Sequence, residues 1–393
     1  MTIKRIFKKT GKILLYILGF VLVIIIVVVI FINTHTGKVF IKNKAQSYLQ
    51  QKLKTKVAIS SIDFSLPKWI EMKGIYLEDQ KRDTLLFGEM VAVDINMLKL
   101  ISGKIDIGKI AFKNIYVNIY NTEKDAVFNY HFVTEAFVSP QKNVPIKVDT
   151  ASLEISLKKL VLNDIRLKFS DRFGGNEFSA GIKNLEANLN QFQPDRMRYG
   201  FNDIVASGVN FYMVTLKESV IKDTVKNSPV ALLFKAGAIN FSDVNVAYEN
   251  KVNGLLYANK VQQLGVDKLE LDLAKENVLL NKINLDNSTV KFISPKVTVK
   301  KVADTLAGNS NWKVSINQLD LNNDEVAFNN NNILPKPGFD FSHIGLKDIN
   351  IHTDKIFYSA DSILANITQI AFKDKSGFSI DTTHANKIGR AHV

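Results

Sequence analysis

Beyond Lys54 the chain alternates apolar and polar residues with a period of two. Stretches such as 91–95 and 269–273 are rich in Ile, Val and Leu, and residues such as Asn, Asp and Gly separate them. This alternation predicts β-strands with one apolar and one polar face. No long helical pattern lies between the strands, so antiparallel connections are expected and a parallel α/β sheet is not. The sequence therefore predicts a mainly β protein.

One strand pattern recurs along this region. It has apolar residues at offsets 0, 2, 5, 7, 10, 12 and 14 and Asn or Asp at offset 9. Six copies begin at residues 105, 155, 234, 278, 314 and 339, with polar exceptions at Ser288, Asp324 and Thr353. The unequal intervals exclude a uniform solenoid and favour a long meander with loops of varied length.

In every copy the spacing between successive apolar residues is two, except between offsets 2 and 5 and between offsets 7 and 10, where it is three. Each spacing of three would turn the later side chains to the other face of the strand. A bulge or tight turn must restore the phase. Asn and Asp tolerate an unusual backbone, so their place at offset 9 predicts strands that bend sharply while one face stays apolar.

The apolar face leaves two structures open. One is a sandwich or closed barrel around a dry core. The other is an elongated, curved, mostly antiparallel sheet that forms an open groove for lipid chains. Burial contributes about 0.8 kcal/mol per methylene, or roughly 12 kcal/mol for a chain of about sixteen carbons. The residues predicted to line the groove are Ile105, Ile107, Ile110, Phe112, Ile155, Leu157, Leu160, Leu162, Ile239, Phe241, Leu280, Ile283, Leu285, Ile316, Leu319, Leu321, Ile344 and Leu346.

The N-terminus predicts a membrane anchor. Residues 13–32 carry no charge and would span about 30 Å as a helix, which matches a bilayer core. No small-residue cleavage site follows, so we expect an uncleaved signal anchor. Residues 1–12 contain five basic residues and no acid, which indicates a cytoplasmic leader and a single-pass protein whose body lies outside the cytoplasm.

Residues 38–54 place apolar side chains near helical spacing among Lys, Gln and Asn, and predict a short amphipathic helix. Two locations remain open for it: beside the lipid headgroups, or across the end of the β domain that we assign to residues 55–387.

Composition narrows the possible partners and chemistry. Lys plus Arg exceeds Asp plus Glu by 51 − 38 = +13, but no dense basic stripe is present, so nucleic acid is not an expected partner. Cys is absent, which excludes disulfides and thiolate metal sites. No phosphate loop, nucleophile elbow or zinc-protease His pair occurs.

We therefore expect no catalytic, cofactor or metal site. His131, His343 and His352 have no companions at ligand spacing and are expected at the surface or at an edge. The loop at 171–175 is expected to be a hairpin turn. An enzyme acting on extracytoplasmic glycans would need paired carboxylates in one cleft, and the sequence does not show such a pairing.

Residues 1 to about 125 resemble the N-terminus of the AsmA-like superfamily, which includes the translocation and assembly module family (TamB). The matching features follow in order: leader, anchor 13–32, a helix through Tyr48, then the segments 57–62, 75–79, 83–86, 91–100 and 103–107. The later copies agree with the family only in their β-rich texture.

The resemblance implies a repeated β-groove that is anchored in the inner membrane and lies in the periplasm. Its implied role is to carry phospholipids toward the outer membrane, in outer-membrane biogenesis. The alternative is a translocation and assembly scaffold or chaperone for outer-membrane proteins, which an exposed sheet edge would engage by strand addition. Fold analogy does not choose between the two.

The C-terminus departs from the family. Members of the TamB type carry a large C-terminal domain that meets a barrel protein in the outer membrane, and nothing here corresponds to it. Residues 388–393 can be encoded by a common sequencing-adapter sequence, so we expect a non-native tail there. The chain is then the front part of a longer protein, and its outer-membrane partner would bind through the missing region.

Overall fold

The computed structural model describes residues 27, 30–65, 68–100, 104–137, 155–217, 231–296 and 311–388. The predicted leader, nearly all of the predicted anchor 13–32 and residues 389–393 of the predicted tail lie outside this set. Among the described residues, no helix combines the length and apolar character needed to cross a membrane.

The described residues form three α-helices, one 3₁₀ turn at Pro194–Arg196 and one mixed sheet of sixteen strands. The helices are α1 (His35–Leu53), α2 (Met97–Leu100) and α3 (His131–Phe137). The strands are β1 (Val57–Ala58), β2 (Ser61–Ser65), β3 (Trp69–Glu78), β4 (Thr84–Ile95), β5 (Ile105–Tyr120), β6 (Ile155–Leu157), β7 (Lys159–Asp171), β8 (Asn176–Gln193), β9 (Arg198–Thr215), β10 (Leu233–Asn250), β11 (Leu255–Asp272), β12 (Asn277–Ile293), β13 (Lys313–Asn329), β14 (Gly345–Ser359), β15 (Ser362–Asp374) and β16 (Ser379–Ile388).

The strands follow one another across the sheet in chain order, and most pairs are antiparallel. Three junctions differ: β5 lies parallel to β6 and β7, β9 to β10, and β12 to β13. The expected single meander is therefore a series of antiparallel meanders joined side by side. Sequence reasoning missed the junctions because it associated parallel pairs with helical crossovers, and the segments between these strands carry no long helical pattern; the helix α3 between β5 and β6 has only seven residues.

The described strands make one open sheet. At one side of the sheet, the short strands β1 and β2 both pair with β3 and together form a broken edge strand. At the other side, β16 pairs only with β15. The two sides do not pair with each other. Within this part of the chain, neither a closed barrel nor a second packed sheet is present.

Helix α1 covers the first edge of the sheet. Thr34 caps its N-terminus by accepting a hydrogen bond from the Gly37 N–H, and Lys54 ends it in the left-handed conformation. Gln46 accepts a hydrogen bond from the Ile59 N–H, and the Gln50 amide donates to the Val57 carbonyl. These contacts place α1 against β1 and β2, where it shields an edge that could pair with another chain.

The phase breaks occur where the sequence predicts them. All six residues at offset 9 have a left-handed backbone, with φ between 46° and 56°: Asn114, Asp164, Asp243, Asn287, Asn323 and Asp348. The sixth copy is irregular, because residues 339–344 precede β14 and this strand runs opposite to β13.

Glycine occupies the same place in two strands that the pattern search did not recognise. Gly74 in β3 and Gly208 in β9 have φ of 60° and 63°. In β9 the apolar offsets are also kept, at Tyr199, Phe201, Ile204, Ala206, Val209, Phe211 and Met213. Parallel neighbours align their breaks, with Gly208 beside Asp243.

We predict that Asp243→Val lowers the free energy of unfolding by about 1–2 kcal/mol, because a β-branched side chain clashes with the backbone in the left-handed region. Asp243→Gly is the matched control and should stay within about 0.5 kcal/mol of the parent. Urea unfolding followed by circular dichroism measures both. Equal stability of the two variants would contradict a conformational requirement at this position.

Candidate functional site: the apolar face of the sheet

One cross-strand ladder of apolar side chains runs through the centre of the sheet. Each member lies directly beside the next in the strand register, and Thr353 is its one polar member. From β3 to β15 it consists of Ile70, Val93, Ile110, Leu160, Ala187, Ile204, Ile239, Val266, Ile283, Leu319, Thr353 and Ile367. Twelve strands at about 4.8 Å spacing make this ladder roughly 50 Å long.

A second ladder runs parallel to the first, two residues further along each strand of the repeated type. It contains no polar residue between β3 and β15. Its members are Met72, Val91, Phe112, Leu162, Leu185, Ala206, Phe241, Leu264, Leu285, Leu321, Ile351 and Ile370. The phase breaks on either side of these ladders keep all the members on one face.

The structure brings most of the predicted groove residues together on this face. Leu280 and Ile316 lie side by side in a third ladder, and Ile107 pairs with Leu157. Ile105 pairs with Ile155 at the ends of β5 and β6. At the other side of the sheet Leu346 lies beside Val326, whereas Ile344 lies just before β14 and outside the ladders.

The sequence search missed half of the face. Strands β8, β9 and β11 supply Leu185, Ile204 and Val266 between the predicted residues. Strands β8 and β11 run in the opposite direction, so their pattern matches the repeat only when it is read backwards. That reversed spacing is the signal that could have found them.

The apolar face is only half-covered. Among the predicted residues, Leu157 and Ile239 are buried, with 9% and 8% of their surface exposed, and all the others are half-buried. The buried cluster joins these two to Ala187, Leu189, Ile204 and Ala236. A closed core would bury many large apolar side chains fully. On this face, part of the apolar surface of most side chains stays exposed.

Aromatic rings extend the apolar face at the end where β5 and β7 finish. Phe128, Phe169, Phe178 and Phe211 form a continuous series with ring centroids 4.7 to 5.8 Å apart. Phe292 and Phe328 stack in the same way on β12 and β13, at 5.9 Å. Such offset stacks favour a fixed arrangement of the rings.

The opposite face is polar and is held by cross-strand side-chain pairs. Amide groups pair along it, as in the bonds from Asn163 to Asn184 at 3.1 Å and from Asn322 to Asp286 at 2.7 Å. Lys235 and Glu270 form an ion pair at 2.8 Å. These contacts make this face suited to water, in contrast to the partly exposed apolar side chains of the other face.

One polar pair interrupts the apolar face. Ser288 and Asp324 replace apolar residues in neighbouring strands, and each is only 3% exposed. The Ser288 N–H donates to Asp324 Oδ1 at 2.6 Å, and Asp324 Oδ2 has no hydrogen-bond partner within the described part of the chain. Burial raises the pKa of Asp324, and the hydrogen bonds from Ser288 offset this only in part.

His131, His343 and His352 each have an acidic partner, and the burial of His343 corrects its expected surface position. His343 is buried and lies 2.9 Å from Asp340, and His352 lies 3.0 Å from Asp320. His131 faces Glu135 one turn along α3. Each is a pair, and no group of three or more metal-binding side chains occurs among the described residues. Residues 171–175 form the predicted hairpin turn.

A polar cluster ties α3 to the turn after β3. The Tyr120 hydroxyl donates to Asp79 at 2.8 Å, and Asn129 donates to the same carboxylate at 3.1 Å. Burial of Asp79 favours its neutral form, but these hydrogen bonds outweigh burial and lower its pKa. Burial and the nearby carboxylates raise the pKa of Tyr120. The hydrogen bonds satisfy this cluster, which fits a structural role.

Comparison with known proteins does not indicate a function, so the apolar face is the main basis for the proposal below. No protein-family model matches the chain, and no curated protein sequence shows significant similarity to it.

We predict that Asp324 makes the protein less stable as the pH rises from acid to neutral. Its folded-state pKa is raised, so its contribution to stability is present below the ordinary carboxyl pKa and is lost as the pH rises through the folded-state value. Asp324→Asn keeps the acceptor for Ser288 and removes the charge. Urea unfolding of both proteins at acid and neutral pH should show the variant gaining relative stability at neutral pH. A constant difference would contradict the raised pKa.

Proposed function

We propose that this protein is a conduit for phospholipid acyl chains, anchored in the inner membrane of a two-membrane envelope. The observation that carries the proposal is the pair of apolar ladders from β3 to β15, most of whose members are only partly buried. An acyl chain needs apolar cover along its whole path, and these ladders offer it from strand to strand.

The energetics favour continuous cover. Removing a methylene from water contributes about 0.8 kcal/mol, so even a short gap in the path would be a substantial barrier to movement. The first two ladders contain one polar residue, Thr353, whose hydroxyl is directed to the Leu319 carbonyl. A chain passing from β5 to β13 therefore meets an apolar side chain at every strand.

The phase breaks supply the shape that the proposal needs. Each repeated strand has a left-handed residue such as Asp164 or Asn287, and bulges of this kind bend a strand and increase its twist. Because the breaks align across neighbouring strands, the bends add up along the sheet. We infer that the apolar face lines the inside of the resulting groove.

The sequence supplies the location. The uncharged stretch 13–32 and the basic leader suggest a single-pass anchor with the β domain in the periplasm. The resemblance of residues 1 to about 125 to the AsmA-like superfamily agrees with this arrangement. The proposal assigns no catalytic group.

We predict that Ile110→Asp, Leu160→Asp and Ile283→Asp each reduce the lipid that co-purifies with the full chain. All three residues belong to the first ladder, where a carboxylate would place a charge against the acyl chain. Asn240→Asp is the matched control, since Asn240 follows Ile239 directly and lies exposed on the polar face. Mass spectrometry of extracted lipid should show a loss in the three variants and none in the control.

A photocrosslinking residue at Leu160 or Ile283 tests the same face without adding a charge. Crosslinks to phospholipid at these positions, and none at Asn240, would support the conduit. Undiminished lipid in all three Asp variants would overturn it. Crosslinks to unfolded barrel proteins from β16, with no lipid captured anywhere, would favour a scaffold or chaperone for outer-membrane proteins, which engages clients by strand addition.

A further inference from the structure

A row of loops lies at one end of the strands. Strands β3, β5, β7, β9, β10, β12, β13 and β15 run in the same direction, so the chain leaves all of them at the same end of the sheet. Gln80, in the loop after β3, donates to the carbonyl of Leu53 at the C-terminus of α1. We call this end the distal rim, because the N-terminus of α1 lies toward the other end, where Lys38 pairs with Asp63.

Exposed apolar side chains recur along the distal rim. Leu334 and Phe341 have 85% and 76% of their surface exposed, which is far more than the residues of the apolar face. Four other loops of the rim present one exposed apolar side chain each, and these are Phe173, Leu216, Val252 and Phe378. Repetition over separate loops distinguishes this row from single exposed residues, which are ordinary on a protein surface.

Each of these apolar residues has a basic residue close to it in sequence. Arg172 precedes Phe173, Lys217 follows Leu216, and Lys251 precedes Val252. Lys336 and Lys375 stand in the loops that hold Leu334 and Phe378. All five basic side chains belong to exposed residues, and none forms an ion pair with another described residue.

In the loops after β13 and β15, the acidic residues Asp340 and Asp374 are turned into the fold. Asp340 accepts hydrogen bonds from the backbone N–H groups of Lys336 and Ser342. Asp374 is buried and accepts from the N–H groups of Gly345 and Ser376. The carboxylates therefore stabilise loop backbones while the basic groups face the solvent.

At the opposite end of the sheet, two bases in the described turns lie beside acidic residues. Lys275 pairs there with Asp272 at 3.2 Å, and Arg196 lies 3.7 Å from Asp195. Met197 is exposed in the same turn as Arg196. Arg198, beside Met197, has no ion pair among the described residues, so the combination occurs in this turn too, but it recurs over five loops of the distal rim.

We propose that the distal rim docks on the surface of an anionic phospholipid bilayer. Basic side chains are attracted to acidic headgroups, and apolar side chains gain by entering the boundary between headgroups and acyl chains. The rim presents both kinds of side chain, on five separate loops. This inference concerns loop residues and does not depend on lipid binding by the apolar face.

Bromine quenching of tryptophan tests the docking directly. The full chain is reconstituted in phosphatidylcholine liposomes, and vesicles of phosphatidylglycerol with brominated phosphatidylcholine are then added. Phe341→Trp places a fluorophore on the rim. The native residues Trp69 and Trp312 stand at the other end of the sheet, at or beside the starts of β3 and β13, and serve as internal references. Quenching of the rim fluorophore, and not of the native pair, is expected.

Charge neutralisation gives the matched comparison. In the Phe341→Trp protein, Arg172→Gln, Lys251→Gln and Lys375→Gln together should weaken vesicle capture about a hundredfold, at about fivefold per base. Arg196→Gln, Lys275→Gln and Lys313→Gln change the net charge equally at the opposite end and should leave capture within about twofold. Leu334→Ser should weaken capture by about tenfold through its lost apolar contact.

Equal capture by the two triple variants, or no quenching by anionic vesicles, would overturn the docking. Binding of the rim to a protein while the vesicles remain unbound would also overturn it, since the rim would then be a protein interface. The amount of co-purified lipid should stay unchanged in the rim variants. A loss of co-purified lipid in the Ile110, Leu160 and Ile283 variants tests only the conduit proposal. The two proposals can therefore fail independently.

Discussion

A constraint on strand phase underlies the structure. A strand turns alternate side chains to opposite faces, so a long strand that follows strict alternation cannot bend sharply and keep its apolar side chains together. In each repeated strand the spacing of apolar residues changes from two to three at two places, and a residue with left-handed backbone lies at the second of them. Asn, Asp and Gly adopt this backbone at the least cost, which explains why they occupy offset 9. The ladders, the polar face and the inferred curvature all follow from this adjustment.

The two faces of the sheet differ in the side chains they carry. On one face the amide pairs and ion pairs hold neighbouring strands in register, as in Asn163 with Asn184 and Lys235 with Glu270. On the other face side chains such as Leu162 and Leu285 stay half-exposed. The polar pairs suit one face to water, and the partly exposed side chains of the other face leave apolar surface that a ligand could cover. The distal rim adds charge and apolar tips at one end, away from both faces.

Local spacing predicted the strand type, the apolar face and the left-handed residues, because each depends on neighbours in sequence. Strand β9 escaped notice because Gly208 and Ala206 stand where the pattern search expected an Asn or Asp and a large apolar residue. The parallel junctions could not be predicted, since strand direction depends on where a connecting segment returns. The burial of Asp324 was also unforeseeable, as it depends on Ser288 in a neighbouring strand, 36 positions earlier in the chain.

The parallel junctions make the architecture modular. The meanders β7–β8–β9 and β10–β11–β12 contain an odd number of strands, so each begins and ends with strands of the same direction. A parallel contact to the next meander then restores the starting orientation, and Ile204 meets Ile239 across such a junction. Duplication or deletion of one meander would therefore change the width of the sheet by about 14 Å while its ladders stay continuous. Such a protein can be matched to different spans by whole units.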